Sequence, residues 1–312
     1  MDTRGDCRKD IIILEIAKFL ARISIKTMEI THNDYITPHK PTWCPGCGDY
    51  SIWLALRQAL ANLGLSPHEI LIVFGVGCSG NMCNLVHSYG AHALHGRALP
   101  LAFGARVANH HIPVIVIAGD GDQYGEGGNH FIHTARSNLD ITVIVHNNQV
   151  YGLTTGQTSP TSGQGYQSKS TPLGVAEEPI NPITLALSAN ASFIARGFSG
   201  DIPMLTNLIV RAIQHKGFSL LDVFQPCVTF NKLNTYQYFR NLIYTLEDTQ
   251  HDSSDKLKAF ERATETERLP IGLFYQENRQ TYEERVSQLT GISLRERMAH
   301  TIDISKLIDM FR

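Results

Sequence analysis

No apolar run in this chain reaches the roughly 20 residues that a membrane span requires. The nearest, IIILEIAKFLARISI at 11–25, is interrupted by Glu15, Lys18 and Arg22 and lacks a small-residue cleavage site. It reads as an amphipathic surface helix or an unstructured extension rather than a signal peptide. Charge of one sign is also scarce: the net charge is −2, which removes the electrostatic ground for nucleic acid as the main ligand. There is no internal repeat and no G-K-[ST] phosphate loop. With no secretion signal, the six cysteines do not read as a disulfide framework. A cytoplasmic location and metal-binding or catalytic thiols are expected instead.

A narrower absence is as informative. Between Glu69 and Asp120 the chain has no Asp or Glu at all. The segment GVGCSG (75–80) follows an apolar run and has the spacing G-x-G-x-x-G. A dinucleotide fold, however, needs an acid about 20 residues later to hold the ribose. That reading is therefore weak. The same acid-free stretch holds HALHGRALPLAFGAR, with His95, Arg97 and Arg106, a composition suited to an anionic ligand.

What is present alternates. SIWLALRQALANLGL carries apolar residues at helical spacing, with Asp49 or Ser51 as its expected N-cap. The runs 70–76, 113–119, 141–147 and 218–224 are continuous, apolar and rich in β-branched residues; 192–196 is a weaker fifth. Helical stretches lie between them at about 94–108, 126–138, 182–190 and 203–216. Asn181-Pro182 and Asp201 with Pro203 mark the starts of the last two. Buried strands alternating with helices predict an α/β fold, a doubly wound, mostly parallel sheet flanked by helices. Residues 1–40 read as an N-terminal extension, 41–230 as the main domain and 231–312 as an irregular C-terminal extension. Residues 152–179, rich in Gly, Ser, Thr, Gln and Pro, form a long polar loop of the kind that is functional or disordered.

The distinctive residues fall at the carboxyl ends of the expected strands, where open parallel sheets bind ligands. GVGCSG, GDGD, HNNQVYG and QPC each follow one. GDGDQYGEGGNH is not a calcium loop, because Tyr124 and Phe131 occupy positions that require carboxylates. Asp120 and Asn148, by contrast, end neighbouring strands and offer hard oxygens suited to Mg²⁺. The glycines around Asp120 admit a diphosphate at a helix N-terminus. The early CPGC (44–47) is a C-x-x-C that spacing alone leaves open between a redox dithiol, half a zinc site and half an iron–sulfur site.

GDG followed by NN, together with GGNH, NNQVYGLT, GQTSPTS, HGRA, GCSG and WCPGCGD, resembles the thiamine-diphosphate-binding β subunit of 2-oxoacid:ferredoxin oxidoreductases, the 2-oxoglutarate type above all. The resemblance covers roughly residues 41–230. It implies thiamine diphosphate held by Gly77, Cys78, Ser79, His95, Gly119, Asp120, Gly121, Asp122, Asn148, Val150, Tyr151, Gly152 and Leu153. It implies Mg²⁺ on Asp120, Asn148 and the Val150 carbonyl, and a [4Fe–4S] cluster on Cys44, Cys47, Cys78 and Cys227. His95 and Arg97 become the candidate catalytic contacts; Cys7 and Cys83 are assigned no role and read as structural or surface thiols. The implied reaction is CoA-dependent oxidative decarboxylation of a 2-oxoacid, with electrons passed to ferredoxin. A partner α subunit, in a heterodimer or α2β2 assembly, would meet the C-terminal extension and supply the glutamate that activates the cofactor. Two departures bear on the substrate: Cys78 is followed by Ser79-Gly80-Asn81 without a basic residue, and Thr155 stands where relatives often have Lys. 2-Oxoglutarate is favoured, with pyruvate and branched acids as alternatives. A non-oxidative thiamine enzyme with structural zinc, or a non-catalytic binding module, are the competing readings.

Overall fold

The computed structural model describes residues 30–297 and 304–311. The expected helix at 11–25, Cys7 and most of the expected N-terminal extension lie outside them. Among the described residues ten strands form in chain order: β1 (Leu71–Phe74), β2 (Tyr89–His92), β3 (Val114–Gly119), β4 (Thr142–Asn147), β5 (Val150–Tyr151), β6 (Gln157–Thr158), β7 (Phe193–Phe198), β8 (Ser219–Phe224), β9 (Ile243–Thr245) and β10 (Leu269–Gln276). Eight of them make one sheet in the order β2-β1-β3-β4-β8-β7-β10-β9, parallel except where β10 runs against β7. β5 and β6 form a separate hairpin.

The helices are α1 (Asp49–Asn62), α2 (Ala98–Ala108), α3 (Gly128–Ser137), α4 (Pro182–Ser188), α5 (Ile202–Gln214), α6 (Tyr236–Leu242), α7 (Lys256–Ala263), α8 (Tyr282–Arg285) and α9 (Ser305–Asp309). Strand periodicity sends neighbouring side chains to opposite faces. Val73, Val116, Ala118, Val143, Val145 and Leu220 join one core with residues of α2, α3, α4 and α7. Ile72, Ile115, Ile117, Ile144 and Leu221 are equally buried and alternate with them. Both faces of the sheet are therefore covered, as a parallel sheet requires. Among the described residues no helix is long and apolar enough to cross a membrane.

Two expected caps form: Asn181 accepts from the Ile183 and Thr184 amides, and Asp201 from the Met204 amide. The first helix differs. Gly48 occupies its N-cap and Asp49 is its first residue, with a carboxylate drawn into the interior. Residues 231–297 are also more regular than their mixed composition suggests, because β10 and β9 extend the main sheet. This return is locked from below. The Arg106 guanidinium donates to Glu283 (2.6 Å), Asp140 (2.7 Å) and the Ile112 carbonyl (2.8 Å). Asn138, at φ 56°, accepts from Ser192 Oγ and the Phe218 amide and donates to the Gln280 carbonyl.

Candidate functional site

Register builds the site. β3 and β4 pair Gly119 with His146, so Asp120 and Asn147 leave the sheet side by side. β4 and β8 pair Asn147 with Phe224, which delivers Gln225 and then Cys227 to the same edge. Gly75 leaves β1 hydrogen-bonded to Ile117 of β3, bringing in the loop with Cys78. After β3 the chain makes a π-helical turn, Gly121–Glu126, before α3 begins. Glycine is required there: a Cβ on Gly121 would lie 2.2 Å from the Tyr151 ring, and one on Gly75 would lie 2.1 Å from Asp122 Oδ2.

The loops enclose a cavity of about 80 Å³. Every residue expected at the cofactor lines it: Gly77, Cys78 and Ser79 from the first loop; His95; Gly119, Asp120, Gly121 and Asp122 from the second; and Asn148, Val150, Tyr151, Gly152 and Leu153 from the hairpin. Val76, His146, Thr154 and Gln225 complete the wall and were not expected from the sequence. Arg97 stands outside this lining. It is exposed at the start of α2 and donates to the His95 and Glu126 carbonyls.

Asp120 is fully buried, and burial pushes its carboxyl up to about 6 against the pull of its hydrogen bonds. Its Oδ2 accepts from Ser159 Oγ (2.5 Å) and Thr161 Oγ1 (2.6 Å). Thr161 also donates to Asn147 Oδ1 at 3.0 Å. The long polar loop is thus ordered against the sheet edge through Ser159 and Thr161, a role that composition alone did not reveal. Asp122 is likewise raised by burial; its Oδ1 accepts from the amides of Val76 (3.1 Å) and Gly96 (2.8 Å) and lies 3.0 Å from His95 Nδ1. At the rim, Tyr151 donates to Glu126, and Thr155 holds φ 80°, a strained value for a β-branched residue.

Several buried polar atoms in this wall have no partner among the described residues: Ser79 Oγ, Asp122 Oδ2, His146 Nε2 and Gln225 Oε1. Each such atom costs about 1–3 kcal/mol when left unmet. Their concentration in one cavity fits a polar cofactor there. Asp120, Asn148 and Val150 bound the same space; Asn148 Oδ1 accepts from the Val150 amide at 2.9 Å, which holds the pair together.

A second cavity of about 150 Å³ adjoins the first. Cys44, Cys47, Cys78 and Cys227 all line it. Cys78, Asn148, Gly152, Leu153 and Gln225 belong to both cavities and form the partition between them. A Cβ on Gly152 would lie 3.5 Å from Cys78 Sγ and 3.6 Å from Cys227 Sγ, so the two sulfurs flank one point. Burial raises the Cys47 thiol, with the Asp49 charge adding to it, and pushes Cys78 up to about 12. Without a positive centre these thiols stay protonated; a metal would reverse that. Among the described residues no three His, Cys, Asp or Glu side chains close on one point as a single ion requires. The four cysteines share this one cavity, a donor set that zinc or an iron–sulfur cluster takes. Trp43, which donates to the Cys78 carbonyl at 2.7 Å, packs edge-on against Tyr50 and Trp53 beside it.

Asp49 and His146 were missed by sequence reasoning. They form a buried pair at 2.5 Å, Asp49 on the cysteine side and His146 on the other cavity. A histidine inside the buried run ITVIVHN was the available signal. Cys83 lies outside both cavities, with His92 Nδ1 at 3.9 Å.

Comparison with known proteins agrees with this geometry. Residues 75–223 match the family described as thiamine pyrophosphate enzyme, C-terminal TPP binding domain. Residues 227–291 match the family for the C-terminal part of the pyruvate ferredoxin oxidoreductase beta chain. The chain is 43% identical over 274 residues to the 2-oxoacid:ferredoxin oxidoreductase subunit beta of Saccharolobus solfataricus, covering 83% of this chain and 90% of the relative. It is 33% identical over 264 residues to the 2-oxoglutarate synthase subunit KorB of Archaeoglobus fulgidus, covering 84% and 95%. Among solved structures it is similar to a 2-oxoglutarate:ferredoxin oxidoreductase from Magnetococcus marinus with 2-oxoglutarate, coenzyme A and succinyl-CoA bound. The TM-score is 0.84 at 36% identity, over 92% of this chain and 98% of that one.

Proposed function

The chain belongs to the 2-oxoacid:ferredoxin oxidoreductase β-subunit family, and from that membership we propose that it is the cofactor-bearing subunit of an enzyme that oxidatively decarboxylates a 2-oxoacid to an acyl-CoA. The observation that carries the reading is the shared partition: Cys78 lines both the four-cysteine cavity and the cavity around Asp120. In this reading Asp120, Asn148 and the Val150 carbonyl hold Mg²⁺ with thiamine diphosphate, and Cys44, Cys47, Cys78 and Cys227 hold a [4Fe–4S] cluster. When bound, the first group supplies the electron sink for decarboxylation and the second supplies one-electron carriage.

The chain's own residues position and shield. Ser159 and Thr161 hold Asp120 by one oxygen, fixing the carboxylate toward the cavity. Gly75 and Gly121 let backbone approach where any Cβ would collide. The Asp122 carboxylate stands 3.0 Å from His95 Nδ1, and Tyr151 donates to Glu126 at the mouth. Gly152 and Leu153 line both cavities and form part of the partition. A partner α chain completes the site, and residues 231–312 face it. 2-Oxoglutarate is the favoured substrate, and ferredoxin the acceptor.

The test is anaerobic co-expression with the neighbouring α subunit. We expect a brown protein, iron that is lost in C78S, and viologen reduction that is greatest with 2-oxoglutarate among pyruvate and branched acids. A colourless, iron-free complex, or full activity from this chain alone, would overturn the proposal.

A further inference from the structure

One side chain spans the partition. Gln225 is buried at the end of β8 and lines both cavities. Its Nε2 donates to Cys47 Sγ at 3.2 Å and to the Pro226 carbonyl at 3.4 Å. Its Oε1 is buried with no partner among the described residues. The amide orientation follows from these neighbours, since sulfur and carbonyl are both acceptors. The close approach is built into the backbone: a Cβ on Gly48, the residue after Cys47, would sit 2.6 Å from Gln225 Cγ. The glycine following CPGC therefore makes room for this contact.

From this placement we infer that Gln225 is a positioning residue that sets the reduction potential of the centre held by Cys47 and, through its carbonyl end, contributes an acceptor to the neighbouring cofactor cavity. The inference rests on the iron–sulfur reading above. A hydrogen bond to a ligating sulfur disperses its negative charge. It favours the reduced, more negative form of the cluster and raises the potential. The opposite influence also stands at this sulfur: Asp49 Oδ2 lies 3.2 Å from Cys47 Sγ, while its other oxygen, Oδ1, meets His146 Nδ1. Gln225 is the neutral donor that offsets this carboxylate.

The experiment is an EPR-monitored redox titration of the αβ holoenzyme in wild type, Q225L and Q225E, with iron content and thiamine diphosphate Kd measured on the same samples. Q225L should keep its iron and shift the oxidised-to-reduced ratio about tenfold at a fixed poise, about 59 mV in the negative direction for a one-electron couple. Q225E keeps the shape and removes the donor's sign, so it should shift further the same way. Q225L, which also removes the carbonyl acceptor, should raise the Kd for thiamine diphosphate. An unchanged midpoint in iron-replete Q225L overturns the inference, and loss of iron from both variants would reduce Gln225 to a structural role. A wild type without iron would instead sink the underlying assignment of the cysteines.

Discussion

Two of the buried polar clusters among the described residues are finished to different degrees. Around Arg106 the network is closed: Nε, Nη1 and Nη2 each have an acceptor, and Glu283 also accepts from the Asp140 amide. At the carboxyl edge it is open: Ser79, Asp122, His146 and Gln225 each keep a buried atom unmet in one small cavity. A closed network in a low-dielectric interior fastens one element to another. An open one is costly unless something arrives to complete it. The difference separates the groups that hold the C-terminal strands in place from the groups that the proposed cofactor would meet.

Three changes test that contrast. The largest effect is expected from E283A, which leaves the Arg106 cation buried with one partner fewer. Urea unfolding should show a loss of about 3–5 kcal/mol, with the thiamine diphosphate Kd of the folded protein unchanged. A weakened Kd at wild-type stability would erase the distinction. T161V acts on the open side. It keeps the side-chain shape but removes the donor to Asp120 and Asn147. Calorimetric titration with Mg²⁺ and thiamine diphosphate should show Kd rising roughly tenfold, equivalent to about 1.4 kcal/mol. The urea midpoint should move far less than in E283A. The smallest effect concerns pH. Burial holds the His215 imidazole below its ordinary 6.5 despite Asp140 and Glu277 nearby, and Arg279 adds to the depression. The unfolded chain therefore takes up that proton first. Stability from His215 is intact above about 6.5 and is lost as pH falls below it. H215Q should flatten that acid limb in urea midpoints taken at about pH 5.5 and 7.5; an unaltered slope would count against the assignment.

Legibility followed the range of the interactions. The runs at 113–119 and 141–147 became β3 and β4 because β-branched composition and burial act locally. Asn181 and Asp201 were readable as caps because a cap bonds within three residues. The cap of α1 was not, since Asp49 is claimed by His146 on a strand far along the chain. β2 escaped notice because YGAH is an exposed edge with no apolar signal. The antiparallel placement of β10 likewise depends on pairing with β7. In the site, GDG and NN could be joined on paper because adjacent parallel strands align their ends. Gln225, His146, Ser159 and Thr161 could not, since their chemistry exists only through neighbours remote in sequence.

The sequence by itself determined a parallel sheet of alternating elements and a glycine-lined edge carrying Asp120 and Asn148. These follow from composition and spacing, which act through local sterics and hydrophobic burial. Only the tertiary structure decided that Cys78 and Gln225 stand in the wall common to two cavities. It also decided which polar groups were satisfied internally and which were left open. That outcome depends on long-range packing, where a side chain's partner is set by the loop that folds against it.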